Sequence, residues 1–152
     1  MSTPLTPAAG PLASAPITVM LVDDHEVVRR GIVAVIEAQE DLHVVGEAGT
    51  VAEAIRRLPA VRPDVLVVDL QLPDGTGIDV MRRAREQDPE QAVLVLTSFD
   101  DDSAVTESRE AGARGMMLKS ARSRDIVEGV LAVHAGHGVW PPGHEEEGPE
   151  LS

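Results

Sequence analysis

The chain has 152 residues with 13 Lys+Arg against 26 Asp+Glu, a formal net charge of −13, and no Cys. That length suits one domain with a real hydrophobic core, and the charge disfavours nucleic acid or an anionic membrane surface as a direct partner. The missing thiols exclude disulfide scaffolds, thiolate zinc sites, iron–sulfur clusters and cysteine nucleophiles.

Residues 1–16 are rich in Pro, Ala, Ser and Thr and lack both a basic start and an apolar stretch. They read as a disordered leader rather than a signal peptide. No run approaches the roughly 20 apolar residues of a membrane span, so a cytoplasmic domain is expected. Ile17–Val22 suits a buried strand, and His25–Ala38 follows with Val28, Ile32, Val35 and Ile36 at helical spacing. A second strand is predicted at Leu42–Ala48 and a helix at Val51–Leu58, stopped by Pro59. Val65–Leu70 is a third, continuously apolar strand, and Gly77–Gln87 a helix with Ile78, Val80 and Met81 among its arginines. Ala92–Thr97 is a fourth strand, Asp101–Ala111 a helix poor in large apolar residues, and Gly115–Leu118 a fifth strand. The last helix, Arg124–Ala135, carries Ile126, Val127, Val130 and Leu131 on one stripe, which leaves Val133 as a candidate interface residue. Residues 139–152 are a low-complexity polar linker or tail in which Trp140 could pin the segment to the domain.

This alternation predicts an α/β fold of doubly wound type, with a five-stranded parallel sheet covered by helices on both faces. In such sheets ligands bind beyond the carboxyl ends of the strands. There the chain places Asp23 and Asp24 after the first strand, Asp69 after the third, Thr97 and Ser98 after the fourth, and Lys119 after the fifth. Lys119 is the only lysine among the 13 basic residues.

Crowded carboxylates stay ionised together only with a cation among them. An all-oxygen site with room for water suits Mg²⁺. A lysine can neutralise a phosphate as a point charge, and a hydroxyl with a backbone amide can hold another phosphate oxygen. A carboxylate is then the available nucleophile, and acyl-phosphate formation on aspartate is the implied reaction. Each element also has a plain structural reading. Asp23 with Glu26 fits a capping box, Pro73-Asp74-Gly75 fits a turn, and the Thr97 hydroxyl can bond backbone at a strand end. His134 and His137 are three apart on a helix end, with no further ligand to make a zinc site.

Val22-Asp23-Asp24-His25, Asp69-Leu70-Gln71-Leu72-Pro73-Asp74-Gly75, Leu96-Thr97-Ser98 and Gly112-Ala113-Arg114-Gly115-Met116-Met117-Leu118-Lys119 together resemble the receiver domain of bacterial two-component response regulators, of the NarL/FixJ type. The resemblance covers residues 17–138. It implies a flavodoxin-like (βα)5 sheet of strand order 2-1-3-4-5. Asp69 would be the phosphoacceptor, served by a sensor histidine kinase. Mg²⁺ would be held by Asp23, Asp24, Asp69 and the backbone carbonyl of Gln71. Lys119 would pair with Asp69 and then with the phosphoryl group, and Thr97, beside Ser98, would act as the switch. The resemblance also implies a homodimer on phosphorylation, and DNA binding only through a C-terminal helix-turn-helix domain of LuxR type that this chain does not contain. Leu151-Ser152 resembles the start of such a domain, so a receiver cut from a longer transcription factor competes with a stand-alone receiver. Membranes are not an expected partner, and no enzyme activity is expected beyond gain and loss of the phosphoryl group at Asp69.

The family usually has Tyr or Phe where this chain has Met116. A methionine can fill a vacated pocket but supplies neither ring nor hydroxyl. Gln71 and Phe99, two residues beyond Asp69 and Thr97, are expected to tune hydrolysis of the acyl phosphate. Two other readings compete: a receiver-like interaction module that works without phosphorylation, and a Mg²⁺-dependent aspartyl phosphatase. The phosphatase wants Asp-x-Asp after its first strand, whereas here the carboxylates are adjacent and His25 follows.

Overall fold

A computed structural model describes residues 15–98 and 101–145. Its elements in chain order are β1 (Ile17–Val22), α1 (Glu26–Glu37), β2 (Leu42–Ala48), α2 (Val51–Val61), β3 (Val65–Val68), β4 (Gln71–Leu72), β5 (Gly75–Thr76), α3 (Gly77–Gln87), β6 (Ala92–Thr97), α4 (Asp102–Glu110), β7 (Gly115–Leu118) and α5 (Ser123–His134). Five strands form one sheet in the order β2-β1-β3-β6-β7, with every pairing parallel. Counting only the strands of this sheet, that is the expected order 2-1-3-4-5. The flavodoxin-like α/β fold is therefore as predicted.

The all-apolar central strands dictate this arrangement. β3 and β6 are buried along their whole length, so both faces of the sheet need a cover. On one face Leu66, Val68, Val93 and Val95 pack with Leu58, Met81 and Val105. On the other, Val65, Val67, Leu94 and Leu96 pack with Ile32, Ile36, Ile126 and Val130. Val133 belongs to this second cluster and is fully buried. It does not serve as a surface interface residue, because Ile126, Val130 and Val133 recur at i, i+4 and i+7 and so share the buried stripe of α5, on which Leu131 is only partly buried.

Some boundaries differ from expectation, each for a local reason. Pro59 does not stop α2, which continues to Val61. A proline in the last turn removes one donor without preventing the turn from closing, and Arg62 N–H still reaches the Leu58 carbonyl at 3.0 Å. Termination falls on Arg62, at φ 43°, just before Pro63, a residue that disfavours helix in its predecessor. β3 ends at Val68, leaving Asp69 just beyond the strand. Pro73-Asp74 is the turn it resembles, joining the antiparallel pair β4 and β5. Asp74 does more than turn the chain. Its carboxylate accepts the N–H groups of Val51 at 2.7 Å and Ala52 at 3.0 Å, satisfying the first turn of α2.

Candidate functional site: an acidic cluster closed by a lysine

Sheet register assembles the site. Val22 is paired with Val68, so the next residues, Asp23 and Asp69, emerge side by side from adjacent strands. The ladder extends one step further at this edge, with Asp69 N–H to the Val22 carbonyl at 2.9 Å and Asp23 N–H to Ala48 at 3.0 Å. On the other side, Thr97 is paired with Leu118, and the Lys119 N–H donates to the Thr97 carbonyl at 2.8 Å. Residues distant in sequence thus meet at one edge because each directly follows, or ends, a paired strand.

Asp23 and Asp69 are 3% and 4% exposed, which makes their charges expensive unless compensated. The Lys119 ammonium compensates both, at 2.6 Å from Asp69 Oδ2 and 2.8 Å from Asp23 Oδ2. Its third close partner is His25 Nδ1 at 3.1 Å. Burial alone pushes the Lys119 pKa down. The Asp23 and Asp69 carboxylates outweigh it, so the net shift is above the ordinary 10.5.

Asp23 does not cap α1. Its Oδ1 accepts the His25 N–H at 2.8 Å, and the N-cap position of the helix is His25, without a side-chain cap. Arg29 grips the same loop, donating to the Asp23 carbonyl at 2.6 Å and to Glu47 at 3.0 Å. Asp24 is exposed, and its Oδ1 lies 3.3 Å from His25 Nδ1. One donor atom from each of Asp23, Asp24, His25 and Asp69 falls within 4.8 Å of the others. Three carboxylates at this spacing, with one face open to water, fit a hard divalent cation.

The Gln71 N–H donates to Asp69 Oδ1 at 3.2 Å, which ties the loop after β3 to the carboxylate. Thr97 is buried and Ser98 exposed at the end of β6. A shallow cleft of about 420 Å³, lined by His25, Val28, Thr97, Ser98 and Lys119, opens over the lysine. Met116 is buried in β7 and packs in the core cluster bordered by Trp140. Phe99 lies outside the described residues, as do residues 1–14 of the expected leader and 146–152 of the expected tail, Leu151-Ser152 included.

Three contributors escaped the sequence reading. In the sequence His25 is marked only as the residue that follows two aspartates. Asp74 reads as a turn residue, although a carboxylate in the turn between β4 and β5 can cap a helix elsewhere in the fold. Gly77 begins α3 against the Asp69 backbone, and a Cβ there would overlap the Asp69 carbonyl oxygen. A second glycine two residues after Gly75 was the available signal.

The model of the response regulator receiver domain matches residues 19–131. The DNA-binding transcriptional activator DevR/DosR of Mycobacterium tuberculosis is 46% identical over 123 residues, 81% of this chain and 57% of that protein. A LuxR-family two-component response regulator from Aurantimonas superposes with a TM-score of 0.79 at 34% identity, over 84% of this chain and 91% of that one. The signal receiver domain of the M. tuberculosis response regulator NarL gives 0.77 at 30% identity, over 82% and 100%. The chain spans little more than half the length of the curated relatives it matches. On the sequence match, the sheet order and the shared fold, this chain belongs to the response regulator receiver domain family.

Proposed function

We propose that this chain is a phosphoacceptor receiver of a transcriptional response regulator, taking a phosphoryl group from a sensor histidine kinase onto Asp69. The observation that carries the reading is the buried Asp69–Lys119 pair beside Asp23 and Asp24 at the carboxyl edge of the sheet. A carboxylate oxygen of Asp69 attacks the phosphorus of the donor, a P–O bond forms, the P–N bond to the donor imidazole breaks, and the imidazole leaves. The reaction needs positioning and charge neutralisation rather than acid–base work.

Asp23, Asp24, Asp69 and the Gln71 carbonyl would hold Mg²⁺. When bound, Mg²⁺ neutralises phosphoryl oxygens and offsets the repulsion between donor and carboxylates. Lys119 exchanges one carboxylate partner for a phosphoryl oxygen. Thr97 supplies a hydroxyl to another and so acts as the switch, with Ser98 beside it. Gln71 borders the water path to the acyl phosphate, and Phe99 is assigned the same role from its place in the sequence. Met116 occupies the position through which the switch is read by the neighbouring face. Pairing with a second copy on phosphorylation, and DNA contact through a separate C-terminal domain, complete the reading. A net charge of −13 fits a chain that does not itself touch DNA.

Intact mass after incubation with Mg²⁺ and a small acyl-phosphate donor tests it. Wild type is expected to gain one phosphoryl group and Asp69→Asn none. No gain in either would leave a receiver scaffold that works through its unmodified surface.

A further inference from the structure

Asp23 and Asp24 are consecutive but face different ways. Asp23 is buried and turns its carboxylate to Lys119 at 2.8 Å. Asp24 is exposed, yet brings one carboxylate oxygen to the same cluster. The peptide that joins them sets both directions, so whatever holds its carbonyl holds the pair.

That carbonyl lies just past the end of β1, where the sheet stops supplying partners. The Asp23 N–H still reaches the Ala48 carbonyl at 3.0 Å, but among the described residues no backbone N–H bonds to the Asp23 carbonyl. β2 ends at Ala48, and the N–H of Gly49, next along, is taken by Glu53 at 2.8 Å. Arg29 Nη1 donates to the Asp23 carbonyl instead, at 2.6 Å.

Three segments meet on this guanidinium. Its backbone closes the first turn of α1, with the Arg29 N–H to the His25 carbonyl at 2.8 Å. Nη1 holds the loop after β1, and Nε donates to Glu47 Oε1 on β2 at 3.0 Å. Gly49 lies alongside: a Cβ there would stand 3.4 Å from Nη1 and 3.9 Å from both the Asp23 carbonyl oxygen and Asp24 Cα. A planar fork serves a carbonyl and a carboxylate in fixed directions, which an ammonium does not.

Charge alone argues against an arginine in this place. A cation beside a cluster that fits a divalent ion lowers the affinity for that ion. Arg29 nevertheless pairs with none of Asp23, Asp24 and Asp69. Among the described residues its carboxylate partner is Glu47, and its side chain is only 18% exposed. Its charge is thus offset outside the cluster, and what it gives the cluster is a hydrogen bond to backbone.

We propose that Arg29 is a positioning residue for the cation site, fixing the Asp23–Asp24 peptide so that Asp24 is presented together with Asp23 and Asp69. The inference deepens the Mg²⁺ reading above and rests on it.

Charge and position predict opposite signs. If Arg29 contributes only charge, its removal tightens Mg²⁺ binding; if it positions the peptide, removal weakens binding. Titration calorimetry of the whole chain with Mg²⁺, without phosphodonor, reads the difference. Arg29→Met is expected to raise the Mg²⁺ dissociation constant about tenfold, the scale on which groups that orient metal ligands act. Arg29→Lys, which keeps the charge but not the fork, is expected to recover only part of that loss. Urea unfolding in chelator reports the fold separately. A lower midpoint with a Mg²⁺ constant within about twofold of wild type gives Arg29 a structural role alone and overturns the inference, against the loss expected of a ligand-orienting group. Tighter binding in Arg29→Met overturns it as well. Should Arg29→Met not fold, Arg29→Lys decides on the same criterion. Wild type that binds Mg²⁺ while the variants match it removes the inference and spares the metal reading. Wild type that binds no Mg²⁺ overturns the metal reading, and the inference falls with it.

Discussion

The Asp69 carboxylate and the Lys119 ammonium, each one residue beyond the ends of β3 and β7, meet at 2.6 Å with the lysine side chain only 9% exposed. Because Asp23 shares the same ammonium, removing the lysine strands two buried carboxylates rather than one. Breaking a buried pair by deleting one partner costs about 3–5 kcal/mol. Lys119→Met is therefore expected to lower stability by about 3 kcal/mol at neutral pH in chelator. Urea unfolding measures this, and millimolar Mg²⁺ is expected to restore part of it by replacing the lost cation.

The same pair sets a pH dependence. Since the folded-state pKa of Lys119 is raised above 10.5, its contribution is fully present below 10.5 and is lost as pH rises through the folded value. The stability gap between wild type and Lys119→Met should stay constant at pH 8 and 9 and close only above 10.5. A gap that closes near neutrality would show that another group dominates.

Asp74 has the opposite sign. Hydrogen bonds from the Ala52 and Val51 backbone to its carboxylate hold its pKa below the ordinary 3.8. The stability it gives α2 is present above 3.8 and is lost as pH falls through the folded value. Asp74→Ala should lower the urea midpoint at pH 7, and the difference from wild type should shrink in strong acid. Phosphoryl gain at Asp69 should persist, because Asp74 does not touch the acidic cluster.

The sheet and its ligand edge were legible because apolar runs and helical spacing are local signals, and Asp23, Asp69, Thr97 and Lys119 each sit where such a run ends. What was not legible depends on tertiary contact. The Asp74 cap serves a helix that precedes it in sequence, whereas the burial of Val133 is carried by its helical spacing from Ile126 and Val130. The parallel bridge of Val139 to Gly115 depends on Gly115 having no side chain under Val139. The sequence marks Trp140 as able to pin the linker, and it packs on the core, but its partner Arg109 carries no sequence signal.

Addition of Mg²⁺ should stabilise wild type in proportion to occupancy, reaching about 2.7 kcal/mol at a hundredfold excess over the dissociation constant. Asp24 is exposed and makes no contact with Lys119 among those described. Asp24→Asn should therefore leave the metal-free stability within about 0.5 kcal/mol of wild type while weakening the Mg²⁺ effect at least tenfold in concentration. Thermal unfolding across a Mg²⁺ series separates the two.

Gly77 joins fold and chemistry in one backbone contact. Its Cα lies so close to Asp69 that an added methyl would overlap the Asp69 carbonyl oxygen and come within 3.0 Å of the carbonyl carbon and Val68 Cγ2. Backbone cannot swing aside as a side chain does, so Gly77→Ala must displace either the start of α3 or Asp69 itself. Overpacking of this kind costs about 1–3 kcal/mol. If α3 yields, only stability falls. If Asp69 yields, it leaves the register that aligns it with Asp23 and Lys119, and phosphoryl gain slows as well. The buried Val80, Met81 and Ala84 of α3, with the exposed capping box between Thr76 and Asp79, resist movement of the helix, so the slower phosphorylation is the expected result. Rate of mass gain and urea midpoint, measured on the same variant, distinguish the outcomes.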